Sequence, residues 1–217
     1  MVEPYYQDDY VTLYHGDCRE IVPQLGKFDL LLTDPPYGIG VDKLMHSNSG
    51  KQGGNAAAPK RHYAATDWDH APPVEDLLEY VAVCDLAVVW GGNYFALPPA
   101  RCMLVWDKVN GDNKFADAEL AWTNIDGAVR IKRHLWNGML RKDKEQRYTH
   151  PTQKPLEVMK WCIGFAPDAQ TILDPFAGSG TTGRAAKDLQ RKCTMIELEE
   201  RYCEIAANRC RQEVLPL

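Results

Sequence analysis

No two cysteines in the chain have the C-x-x-C spacing of a zinc knuckle or a redox motif, and the seven present (Cys18, Cys84, Cys102, Cys162, Cys193, Cys203, Cys210) are odd in number. A disulfide framework and a metal site are therefore both poor expectations, and most of these residues read as small core side chains in a reducing compartment. Long apolar runs are missing too. The longest clean stretches, such as 86–90, are strand-sized and too short to cross a membrane. The opening Met1-Val2-Glu3-Pro4-Tyr5-Tyr6 lacks the basic-then-apolar layout of a secretory signal, so the expectation is a cytoplasmic protein with no membrane partner. Positive charge is also short: 25 lysines and arginines face 30 acidic residues, for a net charge of -5. A protein gripping nucleic acid through its bulk charge has the opposite sign, which excludes a histone-like binder but not a local basic surface.

What is present fits one globular domain over 1–217. The 217 residues are 45% apolar, 10% aromatic and 25% charged, ordinary for a folded chain with a full core. The pattern alternates strand and helix. Strands are expected at 10–14 and 28–33, with a short helix at 18–25 interrupted by Pro23. Residues 38–66 carry Gly, Ser, Asn and Ala without hydrophobic period and read as a long substrate-side loop. A helix at 74–83 follows Pro72-Pro73, then strands at 86–90, 102–107, 117–123 and 127–132. After a polar stretch come a helix from Pro155 to Phe165, a strand at 170–174, a helix at 181–190, a strand at 193–197 and a helix at 199–211. The fold class expected is α/β, a Rossmann-like, mostly parallel sheet with helices on both faces.

Two stretches carry chemistry. In Leu173-Asp174-Pro175-Phe176-Ala177-Gly178-Ser179-Gly180-Thr181-Thr182-Gly183 a strand runs through a glycine turn straight into a helix. Glycines allow close backbone approach to a ligand, and the helix start offers free N–H groups. One strand later Glu197 can accept hydrogen bonds from the two hydroxyls of a ribose. The spacing also satisfies G-x-G-x-x-G. A dinucleotide site normally opens its domain, however, with several strands downstream, and only one further strand fits here, so NAD is a poor expectation. The second stretch, Asp34-Pro35-Pro36-Tyr37, stands at the end of a buried strand. It offers a carboxylate, a stiff carbonyl and an aromatic face, a combination suited to a planar base with an exocyclic amino group.

With His150-Pro151-Thr152-Gln153-Lys154-Pro155 between them, these motifs resemble the amino-methyltransferases of DNA, in the order of their β class, where the catalytic motif precedes the cofactor motif. The fold is then a class I methyltransferase with circularly permuted motif order. The resemblance implies S-adenosylmethionine as cofactor, held by Asp174, Phe176, Gly178, Ser179, Gly180 and Thr181. Glu197 would lie on its ribose, Asp17 near its adenine and Lys154 near its methionine carboxylate, with Cys18 also among the cofactor-binding residues. It implies catalysis by Asp34, Pro35, Pro36 and Tyr37 on a base flipped out of double-stranded DNA, without metal, by direct in-line transfer. Asp at the first position leans toward adenine N6; cytosine N4 stays open as the alternative, as do RNA and a catalytically silent DNA-binding relative.

The DNA surface is expected in a short basic target-recognition insertion at 123–149. Within 130–147, Arg130, Lys132, Arg133, Arg141, Lys142, Lys144 and Arg147 face only Asp143 and Glu145. Without residues 130–147 the remainder stands at -10, with 18 basic and 28 acidic residues. The acidity belongs to the scaffold. Lys43 and Arg61 in the long loop form a second candidate patch. So short an insertion implies a short or degenerate recognition site, or surface borrowed from a second subunit in a homodimer.

Overall fold

Leu30, Leu31 and Leu32 follow one another in sequence and are all fully buried, which a strand permits only when both faces of its sheet are covered. The computed structural model describes residues 2–40, 69–110, 116–136 and 153–212, and in it this strand, β3 (Phe28–Thr33), lies at the centre of a nine-stranded sheet. Before it come β1 (Tyr6–Gln7), β2 (Val11–His15) and α1 (Cys18–Ile21). After it come α2 (Val74–Ala82), β4 (Cys84–Trp90), β5 (Met103–Asp107), β6 (Ala118–Thr123) and β7 (Arg130–Arg133). The chain continues through α3 (Leu156–Ile163), β8 (Thr171–Asp174), α4 (Thr181–Asp188), β9 (Lys192–Glu197) and α5 (Glu200–Arg211).

The strand order is β1-β2-β9-β8-β3-β4-β6-β5-β7. From β2 to β4 the five neighbours are all parallel. Alternate side chains enter separate cores, as the two-residue period of a strand demands. Leu30, Leu32, Val88, Ile172 and Met195 pack with α3, α4 and α5, whereas Leu31, Val89, Leu173 and Ile196 pack with α1 and α2. Burying one such leucine contributes about 1.5–3 kcal/mol, so the run of three is a main anchor of the sheet.

Parallel neighbours bring their carboxyl ends to one edge. There the chain leaves β2 at Gly16-Asp17, β3 at Asp34, β4 at Gly91, β8 at Pro175 and β9 at Leu198. β6 runs antiparallel to both β4 and β5, so its first residues reach this same edge.

The expected α/β architecture with helices on both faces is observed, and each expected element exists to within a few residues. Pro23 does end α1 early, the chain passing into a 3-10 turn at Val22–Gln24. The parallel expectation needs one refinement: β1–β2, β4–β6 and β5–β6 are antiparallel, and β1 was not foreseen. Of the long loop, only 38–40 are described; of the 123–149 insertion, 130–133 form β7 on the sheet's edge and 137–149 lie outside the described residues. Among the described residues no helix is long and apolar enough to cross a membrane.

Candidate active site

A cleft of about 1010 Å³ runs along the carboxyl edge, lined by residues of both the glycine turn and the Asp34–Tyr37 stretch. On one side the chain turns from β8 into α4. Gly180 caps that helix with φ +73, and a Cβ there would come within 2.7 Å of Ala206. Only glycine fits both conditions. Beneath the turn Asp174 accepts from Thr33 Oγ1 at 2.7 Å and from the Phe176 N–H at 3.1 Å. Glu197, at the end of β9, accepts the N–H groups of Gly178 at 2.7 Å and Glu199 at 2.9 Å on its two carboxylate oxygens. Burial pushes Glu197 up to about 7 and Asp174 up to about 6, the backbone hydrogen bonds to Glu197 only partly opposing it. Each Glu197 oxygen keeps an acceptor site for a hydroxyl. Phe176 and Tyr80, with ring centroids 6.2 Å apart, and Cys18, which accepts from Tyr80 Oη at 3.2 Å, form a wall suited to a flat heterocycle. Acid for a diol, aromatic wall and open helix start together fit a nucleoside-bearing cofactor.

The other side is a chain of buried charges. Lys154 Nζ lies 2.5 Å from Asp34 Oδ2 and 3.0 Å from Glu119 Oε2, and donates to Tyr37 Oη at 3.1 Å. Tyr37 in turn donates to Asp34 Oδ1 at 2.6 Å, and Lys108 pairs with Glu119 at 2.5 Å. The Lys154 side chain is 5% exposed. Burial disfavours its charge, but Asp34 and Glu119 hold the ammonium well above the usual lysine range. Burial likewise raises Asp34 against the pull of Lys154, while Lys154 and Lys108 outweigh burial at Glu119 and bring it down to about 2. Tyr37 is pushed far up by burial and by Asp34, and stays a phenol. Its ring stacks on Tyr94 at 5.0 Å and 23°. Gly91, with φ +68, passes directly beneath it, and a Cβ there would sit 2.1 Å from the Tyr37 ring.

The structure brings thirteen of the expected residues to this one cleft: Asp34, Pro35, Pro36, Tyr37, Asp17, Cys18, Lys154, Asp174, Phe176, Gly178, Ser179, Thr181 and Glu197. Gly180 stands behind the turn rather than on the cleft. Two of these residues have partners within the protein. The Lys154 ammonium lies between two carboxylates, Asp34 and Glu119. Asp17 is the N-cap of α1 and binds Arg19 through its carboxylate, accepting the Arg19 N–H at 2.9 Å. Of the basic residues, Arg130 and Arg133 are exposed on β7 and Lys132 is partly buried, with Arg133 3.2 Å from Asp107. Lys43, Arg61, Arg141, Lys142, Lys144 and Arg147 lie outside the described residues. Sequence reasoning missed Glu119, Lys108, Thr33 and Gly91. An acid in the otherwise apolar run Leu120-Ala121-Trp122 was the available signal for Glu119.

A DNA methylase family model matches residues 89–208, more than half the chain. Similar proteins include the type II methyltransferase M2.LlaDCHI of Lactococcus lactis subsp. cremoris, 26% identical over 96% of this chain and 92% of that protein. The type II methyltransferase M.HinfI of Haemophilus influenzae is 25% identical over 93% of this chain and 68% of that protein. Among solved structures, the M1.HpyAVI–SAM complex superposes with a TM-score of 0.56 at 24% identity, covering 93% of this chain and 100% of that one. The cytosine-N4-specific PvuII DNA methyltransferase superposes at 0.62 with 17% identity, over 99% and 91%. The latter two likenesses concern the fold alone. By sequence and by fold, the chain belongs to the N6/N4 DNA methylase family.

Proposed function

We propose that the protein methylates the exocyclic N6 of adenine in double-stranded DNA, with S-adenosylmethionine as methyl donor and the target base flipped into the cleft. The observation that carries this reading is the Asp34 carboxylate. It is fixed on one oxygen by Tyr37 and on the other by Lys154, in the same cleft as Glu197 and the glycine turn. A carboxylate has about four acceptor sites, so both oxygens keep room for an incoming N–H.

Glu197 would hold the ribose hydroxyls of the cofactor, Phe176 and Cys18 would border its adenine, and the start of α4 would face its amino-acid end. When bound, the cofactor supplies a methyl group already activated by the positive sulfur. The protein's task is then positional and electrostatic. An aryl amine is a weak nucleophile because its lone pair is delocalised into the ring. Asp34, with the Pro35 carbonyl, accepts the N–H groups, favours a more tetrahedral nitrogen and stabilises the positive charge that develops on it. The stiff Pro35-Pro36 turn keeps these acceptors in place. A base inside the duplex is out of reach, so it has to leave the stack and rest beside the Tyr37–Tyr94 pair.

Adenine is favoured because an acid at the first motif position goes with N6 transfer in the resembling family. The test is transfer of labelled methyl from S-adenosylmethionine to DNA from a methylation-free host, followed by digestion to nucleosides. N6-methyladenine is the expected product and Asp34→Ala should lose it. N4-methylcytosine would overturn the base assignment, and undiminished transfer by Asp34→Ala would refute the role given to Asp34.

A further inference from the structure

Glu119 and Lys108 are the members of the buried charge chain that the proposed reaction does not use directly, and of the two Glu119 is a carboxylate, costly to bury without purpose. It enters from β6, the antiparallel strand, and meets the Lys154 ammonium at 3.0 Å through Oε2. On its other side Lys108 closes the chain at 2.5 Å. Two anions and two cations thus alternate from Asp34 to Lys108, each within ion-pair reach of the next.

The order of the charges matters more than their sum. With Lys154 alone beside it, Asp34 would form a closed ion pair, and the ammonium would cancel much of the carboxylate field at any third group. Glu119 supplies the ammonium with a second partner. Asp34, Lys154 and Glu119 together keep one negative charge, and the compensating charge sits on Lys108, a further step from the Asp34 end. We infer that Glu119 is a positioning residue for methyl transfer: it holds and neutralises Lys154, so that Asp34 presents its negative charge to the amine being methylated. The inference rests on the functional reading above, but the charge arrangement is measurable without it.

Asp34 is faced by Tyr37 from its own turn, by Lys154 from the segment before α3, by Glu119 from β6 and Lys108 beyond β5, and by Asp174 from the end of β8. Two variants shift this set in opposite directions. Glu119→Gln removes a negative charge with little change of shape, so the Asp34 carboxyl should titrate at lower pH. Lys108→Met removes the positive charge behind Glu119, and the same carboxyl should titrate at higher pH. Carbon-13 carboxyl NMR of the unliganded protein, assigned with Asp34→Asn, reads both midpoints. A Glu119 with no electrostatic hold on Asp34 would leave the midpoint in place, and one that acts only on the fold would leave the transfer rate in place.

In single-turnover transfer, Glu119→Gln should slow the methyl step by roughly tenfold or more, with the affinity for S-adenosylmethionine unchanged by calorimetry. Midpoints that stay fixed, or that move the same way in both variants, overturn the inference. So does a shifted midpoint with an unchanged transfer rate. If the midpoints move as expected but wild-type protein transfers no methyl group to any DNA, the charge arrangement stands and the functional reading fails.

Discussion

Arg209, 2% exposed within α5, donates to Thr181 Oγ1 at 2.6 Å and lies 3.3 Å from Ser179 Oγ, fastening the first turn of α4 from below. The guanidinium makes the glycine turn part of the packed layer between two helices. Both hydroxyls are met by one nitrogen, Nη1, held in place by the planar guanidinium at the end of the side chain, a rigid placement that a flexible lysine ammonium does not reproduce.

Charged hydrogen bonds contribute about 1.5–3 kcal/mol each. Arg209→Lys is therefore expected to keep the fold by circular dichroism but weaken S-adenosylmethionine binding about tenfold by calorimetry. A lowered melting temperature with unchanged affinity would make Arg209 a structural residue only.

The pH dependence of cofactor binding follows from Glu197, whose folded-state value of about 7 lies above the ordinary carboxylate range because of burial. The charged form is the better acceptor for ribose hydroxyls. Affinity should thus climb by up to about tenfold per pH unit below about 7 and level off above it. For stability the sign is reversed. The native state holds the proton that the unfolded chain has already released, so the contribution of Glu197 falls as pH rises from about 4.5 toward 7, by about 1.4 kcal/mol per unit at most. Asp174, at about 6, acts the same way over a narrower window. Glu197→Gln should flatten the binding profile and leave in the stability profile only the Asp174 contribution of the two; an unaltered binding profile in that variant would remove Glu197 from the cofactor site.

Gly91 separates substrate chemistry from cofactor binding. Alanine there combines a left-handed backbone with a Cβ 2.1 Å from the Tyr37 ring, a cost of roughly 1–3 kcal/mol. The ring must shift and take its hydroxyl away from Asp34. Methyl transfer should fall far more than S-adenosylmethionine affinity; equal losses in both would mean a general loosening of the edge.

Arg130 tests the DNA surface. It is exposed at the start of β7. If it contacts a phosphate, Arg130→Ala should lower the slope of log affinity against log salt by about 0.9 and leave the methylated sequence unchanged. An unchanged slope would move the DNA elsewhere on the protein.

Much of this architecture was legible because the signals were local. Buried strands such as Leu30-Leu31-Leu32, the proline before α3 and the glycine turn before α4 each announce an element within a few residues. The thirteen cleft residues followed from motifs of the same kind, set by the rule that parallel strands gather ligands at their carboxyl ends. Lys154 was foreseen at the site, but its partner was not. Nothing near it in sequence reveals that β6 runs backwards between β4 and β5, and that reversal is what sends Glu119 to the same edge. Tertiary pairing of charges far apart in sequence has no local signature.

The bond from Thr33 to Asp174 joins residues 141 positions apart, and β3 needs β8 beside it as well as β4. During synthesis, β3 and β4 emerge long before β8 and β9, leaving one edge of the central strand without its neighbour. Closing so long a loop makes assembly of the sheet slow and late. The nascent chain therefore carries Asp34 for about 140 residues of synthesis before the glycine turn that shares its cleft is made.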